Sequence, residues 1–560
     1  MTAAAERAEW WRGAVIYQIY PRSFCDSNGD GLGDLAGITA KLDYVAGLGV
    51  DAIWISPFYK SPMRDFGYDV ADYRAVDPVF GTLEDFRRLL ARAQDLGLKV
   101  LIDLILSHTS EEHPWFQESR RDRDNPKADW YVWADPKADG TPPNNWLSVF
   151  GGGAWTWEPR RRQYYLHNFL ACQPDLNLHN PAVRDRLLSE AAFWLDLGVD
   201  GFRLDAVNFC THDPALRDNP PRAPGERATD GVAPDNPYAY QRHLYDKSRP
   251  ETIEVLRRLR ALTDRYEGRA TMGEISGEDS LATAAAYTQG GDRLNMAYTF
   301  NLLTPEFSAA RLRAVLGEME ARVGDGWPCW AFSNHDVPRA PSRWGAAGDD
   351  DFARLLMALL LSLRGTLCLY QGEELGLPEA EVPFERLQDP YGKAFWPAFK
   401  GRDGCRTPMP WASAADHAGF SSAEPWLPLD PGHPARAVDR QEATPGSLLR
   451  SYRGFLRWRR RQPALRLGGL CFLEAAEPLL AFERACAAQR LLAVFNCGAA
   501  PQRFRLPKGP APAPLEGHGF AAVVEDGELR LPRYGVFFGA LPAARQGGTG
   551  TGNQGATGHG

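Results

Sequence analysis

Two carboxylates in this chain stand where paired acid chemistry needs them, Asp205 and Glu274, each at the end of a short apolar run. Asp205 follows the run 201–204 and lies two residues after Arg203, so on a strand both side chains share one face. A neighbouring guanidinium favours the ionised carboxylate, which suits a nucleophile. Glu274 follows the run 270–273 and has no cation within three residues on either side, with Glu278 slightly further on. Burial beside a second carboxylate raises an acid's pKa, which suits a proton donor. Paired carboxylates on separate elements, without a nucleophilic Ser or Cys motif, are what cleavage of a glycosidic bond requires.

The same placement recurs along the chain. Asp26, Asn28, Asp30 and Asp34 follow the run 15–20, and Asp65, Tyr68 and Asp69 follow 52–55. Asp103 and His108 belong to the run 100–104 and its exit, Asn334, His335 and Asp336 follow 328–332, and Gln371, Glu373 and Glu374 follow 366–370. With 297–300, these runs make eight predicted strands. Helical segments lie between them, several ending in Leu-Gly at Gly49, Gly97 and Gly198, where a C-cap takes a left-handed residue. Helix starts are marked at Thr82 with Asp85 and at Asn180-Pro181. Eight alternating strands and helices predict an α/β fold, a (β/α)₈ TIM barrel, whose strand C-terminal ends meet around one rim.

Two stretches break the pattern. Residues 107–175, rich in Trp, Pro and Asp, are expected to form an inserted subdomain after the third strand. Residues 211–250, proline-rich and polar, are expected to form a long loop after the fourth. The barrel is then expected over 1–106 and 176–455, a C-terminal antiparallel β-sandwich over 456–541, and a disordered tail over 542–560.

Composition narrows the class of protein. The 560 residues carry a net charge of −8 without a basic stripe, which excludes a nucleic-acid surface, and no apolar run is long enough to span a membrane. The nine cysteines are scattered without a CxxC, and the N-terminus lacks an apolar leader, so the expectation is a reduced, cytoplasmic monomer or homodimer.

At these residues the chain resembles the α-amylase family (glycoside hydrolase family 13), in its bacterial α-glucosidase and oligo-1,6-glucosidase branch. The motifs DLILSH (103–108), QPDLN (173–177), GFRLDAVNF (201–209), GEIS (273–276), SNHD (333–336) and GEELG (372–376) fall in order. The resemblance implies Asp205 as nucleophile, Glu274 as acid/base and Asp336 as a third carboxylate gripping sugar hydroxyls. It implies that Arg203, His108 and His335 orient the nucleophile and bind glucose, that Tyr68 is a stacking platform, and that Asp65 and Arg402 clamp the terminal 4-hydroxyl. Phe150 and Phe169 are expected to line the remaining pocket. The family's first motif carries Asn where this chain has Ser107. Ala206, after the nucleophile, is small, and the resemblance then implies α-1,4 or sucrose-like substrates over α-1,6. A sucrose isomerase or transglucosylase, an oligo-1,6-glucosidase and a non-catalytic glucosidase-like binding protein are the alternatives.

The segment DSNGDGLGD (26–34) places oxygen donors at alternate positions, which suits a hard cation, although its twelfth position is Gly37 where an EF-hand needs Glu. The resemblance implies a structural Ca²⁺ or Mg²⁺ on Asp26, Asn28, Asp30, the carbonyl of Leu32, and Asp34.

Overall fold

The architecture comes from a computed structural model that describes residues 9–542 apart from 224, 227–231, 234 and 508. Eight parallel strands form the barrel: β1 Val15–Ile19, β2 Ala52–Ile55, β3 Lys99–Ile105, β4 Gly201–Asp205, β5 Ala270–Ile275, β6 Met296–Thr299, β7 Cys329–Ala331 and β8 Thr366–Tyr370. Their hydrogen-bonded order runs from β6 through β5, β4, β3, β2, β1 and β8 to β7. A parallel bridge between Ala297 and Pro328 joins the two ends and closes the ring. Each expected strand is present, with ends shifted by at most two residues.

Alternation along the strands sorts their side chains. Phe202 and Leu204 of β4 point outward into the layer packed under the helices, while Arg203 and Asp205 point inward. Ile16, Ala52, Leu101, Met272 and Met296 fill the interior. The helix caps follow the sequence signals. Thr82 and Asp85 form a capping box, Asn180 caps the helix Pro181–Leu197, and Gly49 and Gly198 end their helices with φ of 94° and 104°. Gly201 opens β4 at φ +150°, and a Cβ there would lie 1.8 Å from the carbonyl oxygen of Ala270 on β5.

The insert after β3 contains a three-stranded antiparallel sheet of Trp133–Ala134, Trp155–Glu158 and Gln163–Leu166. The expected start of the C-terminal domain at 456 needs correction. That position falls inside the helix Leu448–Arg460, whose apolar face, with Leu449, Tyr452 and Leu456, is buried in the same core as the barrel helices. The first strand of the terminal unit is Gly469–Leu473, in a five-stranded sheet that faces a three-stranded one. Leu479, Leu492, Val494, Leu529 and Phe537 fill the space between the two sheets. The tail expected over 542–560 lies, beyond 542, outside the described residues, as does part of the loop 211–250. No helix among the described residues is long and apolar enough to cross a membrane.

Because Gly201 is pressed against the β5 backbone, Gly201→Ala is expected to lower stability by about 2–4 kcal/mol. Thermal unfolding of the two proteins checks this, and an unchanged midpoint counts against it.

Candidate active site

The inward residues of β3, β4 and β5 meet on one cation. Arg203, fully buried, donates from Nη1 to Asp103 Oδ1 at 2.5 Å and Asp205 Oδ1 at 2.7 Å. Its Nη2 lies 2.6 Å from Glu274 Oε2. Strand register places Asp103 directly opposite Arg203. Trp54 Nε1 donates to the second Asp103 oxygen at 2.7 Å, and the Arg203 guanidinium lies 4.8 Å from the Trp54 ring. Asp205 and Glu274 therefore occupy neighbouring nitrogens of one planar group. No cation lies within three residues of Glu274 in sequence, yet strand pairing brings Arg203 to both carboxyls, which local spacing does not show.

One positive charge among three buried carboxyls leaves the cluster short of cations. Burial pushes Asp205 up to about 7 against the pull of Arg203, and Asp103 up to about 6. Burial likewise raises Glu274 to about 7, with Arg203 lowering it and Asp205 raising it further. Near neutral pH the pair thus retains a proton, which paired acid/nucleophile chemistry needs. Tyr298 Oη donates to Glu274 Oε1 at 2.9 Å and accepts from Arg203 Nη2 at 3.0 Å. Ala206 N–H donates to Glu274 Oε2 at 3.2 Å. Ala206 adopts φ 38°, ψ 45°, a left-handed conformation that costs a non-glycine residue about 1 kcal/mol or more.

A second cluster is better supplied, with two guanidinium groups, Arg402 and Arg406, for the three carboxyls of Asp65, Asp389 and Asp336. Arg402 Nη2 donates to Asp65 and Asp389 at 2.8 Å each, and its Nη1 reaches Asp336 at 3.4 Å. Arg406 donates to Asp336 at 2.9 Å. Against its burial, Asp336 is held well below the usual carboxylate range by His335, Arg406 and Arg402. Burial also strongly depresses the basicity of His335, so at neutral pH the two guanidinium groups hold Asp336 ionised.

These clusters face a cavity of about 120 Å³. Of the residues expected at the site, Asp205, Glu274, Asp336, Asp65, Tyr68, His108, Arg402, Ala206, Phe150 and Phe169 line it. Arg203 and His335 lie behind its wall. The His335 ring stacks on Tyr68 at 5.4 Å between centroids, its Nε2 meets the Tyr68 hydroxyl at 2.5 Å, and its Nδ1 meets Gln18 at 2.8 Å. Ser107, where the family carries Asn, lies 3.0 Å from His108 Nδ1, and burial lowers His108 to about 4. Sequence reasoning missed Tyr298, Asp389, Arg406, and the aromatic wall of Phe209, Phe300, Tyr391 and Phe399. Tyr298 could have been found, since it lies in the predicted strand 297–300, beside the strand carrying Glu274 and opposite it in register.

In the loop 26–34, Asp26 accepts from the N–H groups of Asn28, Gly29 and Gly31 at 2.7–2.9 Å and from the Ser421 hydroxyl. Asp34 caps the helix Leu35–Leu48. Asn28 and Asp30 are exposed and bond each other. Among the described residues no group of three or more His, Cys, Asp or Glu converges to hold a metal. The donors are nonetheless all oxygen, the chemistry of a hard cation.

Tyr298 donates to the ionised form of Glu274, so its loss raises the pKa of that carboxyl. Tyr298→Phe is expected to move the alkaline limb of the pH–rate profile upward by about 0.5 unit or more. A limb that stays or moves downward speaks against the assignment.

Comparison with known proteins agrees with this geometry. The Alpha amylase, catalytic domain family matches residues 18–468. A probable alpha-glucosidase of Rhizobium meliloti (strain 1021) is 57% identical over 95% of this chain and 97% of its own length. An oligo-1,6-glucosidase of Parageobacillus thermoglucosidasius is 36% identical over 89% of this chain and 92% of its own. The crystal structure of an alpha-glucosyl transfer enzyme, XgtA, superimposes with a TM-score of 0.93 at 61% identity, covering 95% of this chain and 99% of that one. The trehalulose synthase MutB of Pseudomonas mesoacidophila MX-45 follows at 0.85 and 34%, covering 95% and 99%. With its barrel, its paired carboxyls and a family match over most of its length, the chain belongs to the α-amylase family.

Proposed function

We propose that the chain is a retaining, exo-acting α-glucosidase that takes terminal α-glucosyl units from small oligosaccharides or α-glucosides. The observation that carries this reading is the pairing of Asp205 and Glu274 on the Arg203 guanidinium, in a pocket whose wall holds Arg402 between Asp65 and Asp336. Asp205 attacks the anomeric carbon while Glu274 gives its proton to the leaving oxygen, and the glycosidic bond breaks as the ester to Asp205 forms. Glu274, now ionised, takes a proton from the incoming acceptor. That acceptor displaces Asp205, and two inversions return the original configuration. The Asp65–Arg402 pair matches a clamp on the terminal sugar, which supports exo action.

A second reading, transfer to a sugar or alcohol acceptor, is favoured by the aromatic wall of Phe209, Phe300 and Phe399, which offers an apolar face where water is a poor competitor. The name of the 61%-identical transfer enzyme supports the same reading. Ala206 leaves room beside the nucleophile, which supports α-1,4 or sucrose-like bonds over α-1,6. The cysteines, none of them disulfide-bonded, support a reducing, cytoplasmic setting. The loop 26–34 is assigned to Ca²⁺ or Mg²⁺ in a structural role, through Asp26, Asn28, Asp30, the Leu32 carbonyl and Asp34, supported by its oxygen donors. The carboxyl chemistry itself needs no metal.

Incubation with maltose, isomaltose, sucrose and trehalose separates the readings: glucose or the free monosaccharides mean hydrolysis, and new disaccharides mean transfer. Asp205→Asn is expected to retain less than about 10⁻⁴ of wild-type turnover with an unchanged circular dichroism spectrum. Full activity in that variant would sink the assignment. For the loop, Ca²⁺ is expected to raise the thermal midpoint by a few degrees after chelation, about 1 kcal/mol or more. Asp30→Ala is expected to abolish that response, and an identical response would argue for binding elsewhere.

A further inference from the structure

Three sulfur atoms meet in the interior of the barrel. Cys329 Sγ of β7 lies 3.5 Å from Cys368 Sγ of β8, and the Met272 thioether of β5 lies 3.6 Å from the first and 3.7 Å from the second. The triangle is nearly equilateral, so its centre is about 2.1 Å from each sulfur, close to the ~2.3 Å of a metal–thiolate bond.

The backbone argues against a disulfide. Cys329 pairs with Thr366 and Cys368 with Ala331, so the two cysteines are two residues out of register. With strands ~4.8 Å apart and a rise of ~3.3 Å per residue, their Cα atoms are about 8 Å apart. That exceeds the ~7 Å a disulfide spans without backbone movement. An ion between the sulfurs removes this obstacle, because two metal–sulfur bonds reach further than one sulfur–sulfur bond.

We propose that Met272, Cys329 and Cys368 form a three-coordinate site for a soft monovalent cation, copper(I) or silver(I). Thiolate and thioether donors select such ions over hard ones. Structural zinc takes four ligands, often with two thiolates or more and none of them a thioether, whereas this interior cluster, with Trp11, Ile16 and Leu101, is apolar apart from its sulfurs and aromatic polar groups. Capture forms three metal–sulfur bonds and releases one thiol proton to solvent, and the second thiol binds as a neutral donor. The cation and its single thiolate cancel, which suits apolar surroundings. No electron is transferred.

Access is through the weakest pairing of the ring. Cys329 is 1% exposed and Cys368 3%, yet Cys329 follows Pro328, half of the bridge that, among the described residues, joins β7 to β6. Opening of that seam admits an ion, so capture is slow. Met272 lies two residues before Glu274 on β5, with both side chains inward, and Tyr298, which holds Glu274, packs in the same interior cluster. The site therefore lies in the layer beneath the acid.

The test uses the full-length chain under anaerobic conditions, titrated with copper(I) against a competing chelator and, separately, with silver(I). Metal retained per chain is the primary readout, which does not rest on the proposed activity. The wild type is expected to retain one equivalent that loads over minutes, with a sulfur-only, three-coordinate X-ray absorption signature. Cys368→Ala and Cys329→Ala are each expected to lose that equivalent, and Met272→Leu to weaken it at least ~10-fold while folding normally. Cys471→Ser, which alters an exposed thiol, is expected to leave it in place. Retention of the same equivalent by folded Cys368→Ala, nitrogen or oxygen ligands in the absorption spectrum, or complete surrender of the metal by the wild type would each overturn the proposal.

Discussion

The site depends on one guanidinium. Arg203 is surrounded by the carboxyls of Asp103, Asp205 and Glu274, the Tyr298 hydroxyl and the face of Trp54. Removing one partner of such a buried ionic group costs about 3–5 kcal/mol, because the remainder loses its compensation. The barrel makes this arrangement possible by placing β3, β4 and β5 side by side, so that inward residues far apart in sequence converge. The shortage of positive charge is functional. A cluster with matched cations would ionise fully and hold no proton to give.

The other end of the pocket shows the contrast. Arg402 and Arg406 outmatch the carboxylate they share, and Asp336 stays ionised where Asp205 and Glu274 are raised. Both arginines come from the segment after β8, well away from the strands that carry the paired carboxyls. One region of the cavity thus holds raised carboxyls and another a fixed negative charge. Burial is common to both, but two guanidinium groups reach Asp336 where a single one is shared by Asp205 and Glu274.

Much of this arrangement was legible before any coordinates. The polar residues after each apolar run marked the strand ends, and the caps at Thr82, Asn180, Gly49 and Gly198 marked the helices between them, because both signals are local in sequence. The ordered motifs then pointed to Asp205, Glu274 and Asp336. What stayed hidden was non-local. Arg203 reaches Glu274 through strand pairing, Asp389 reaches Arg402 across a loop, and Phe209, Phe300 and Phe399 join a wall from separate connections. The domain boundary at 456 failed for a related reason. An amphipathic helix looks alike in sequence whether it ends one domain or begins the next, and only its packing partners decide.

Ala206 couples two properties that are usually separable. Its side chain faces the pocket, and its backbone is held left-handed while its N–H reaches Glu274. A larger or β-branched residue at this position changes the room for the departing sugar and at the same time strains the turn that orients the acid. Substrate preference and catalytic rate are therefore not independent coordinates at this position. Any change of residue 206 thus acts on two things at once, the space beside the nucleophile and the backbone N–H that reaches Glu274.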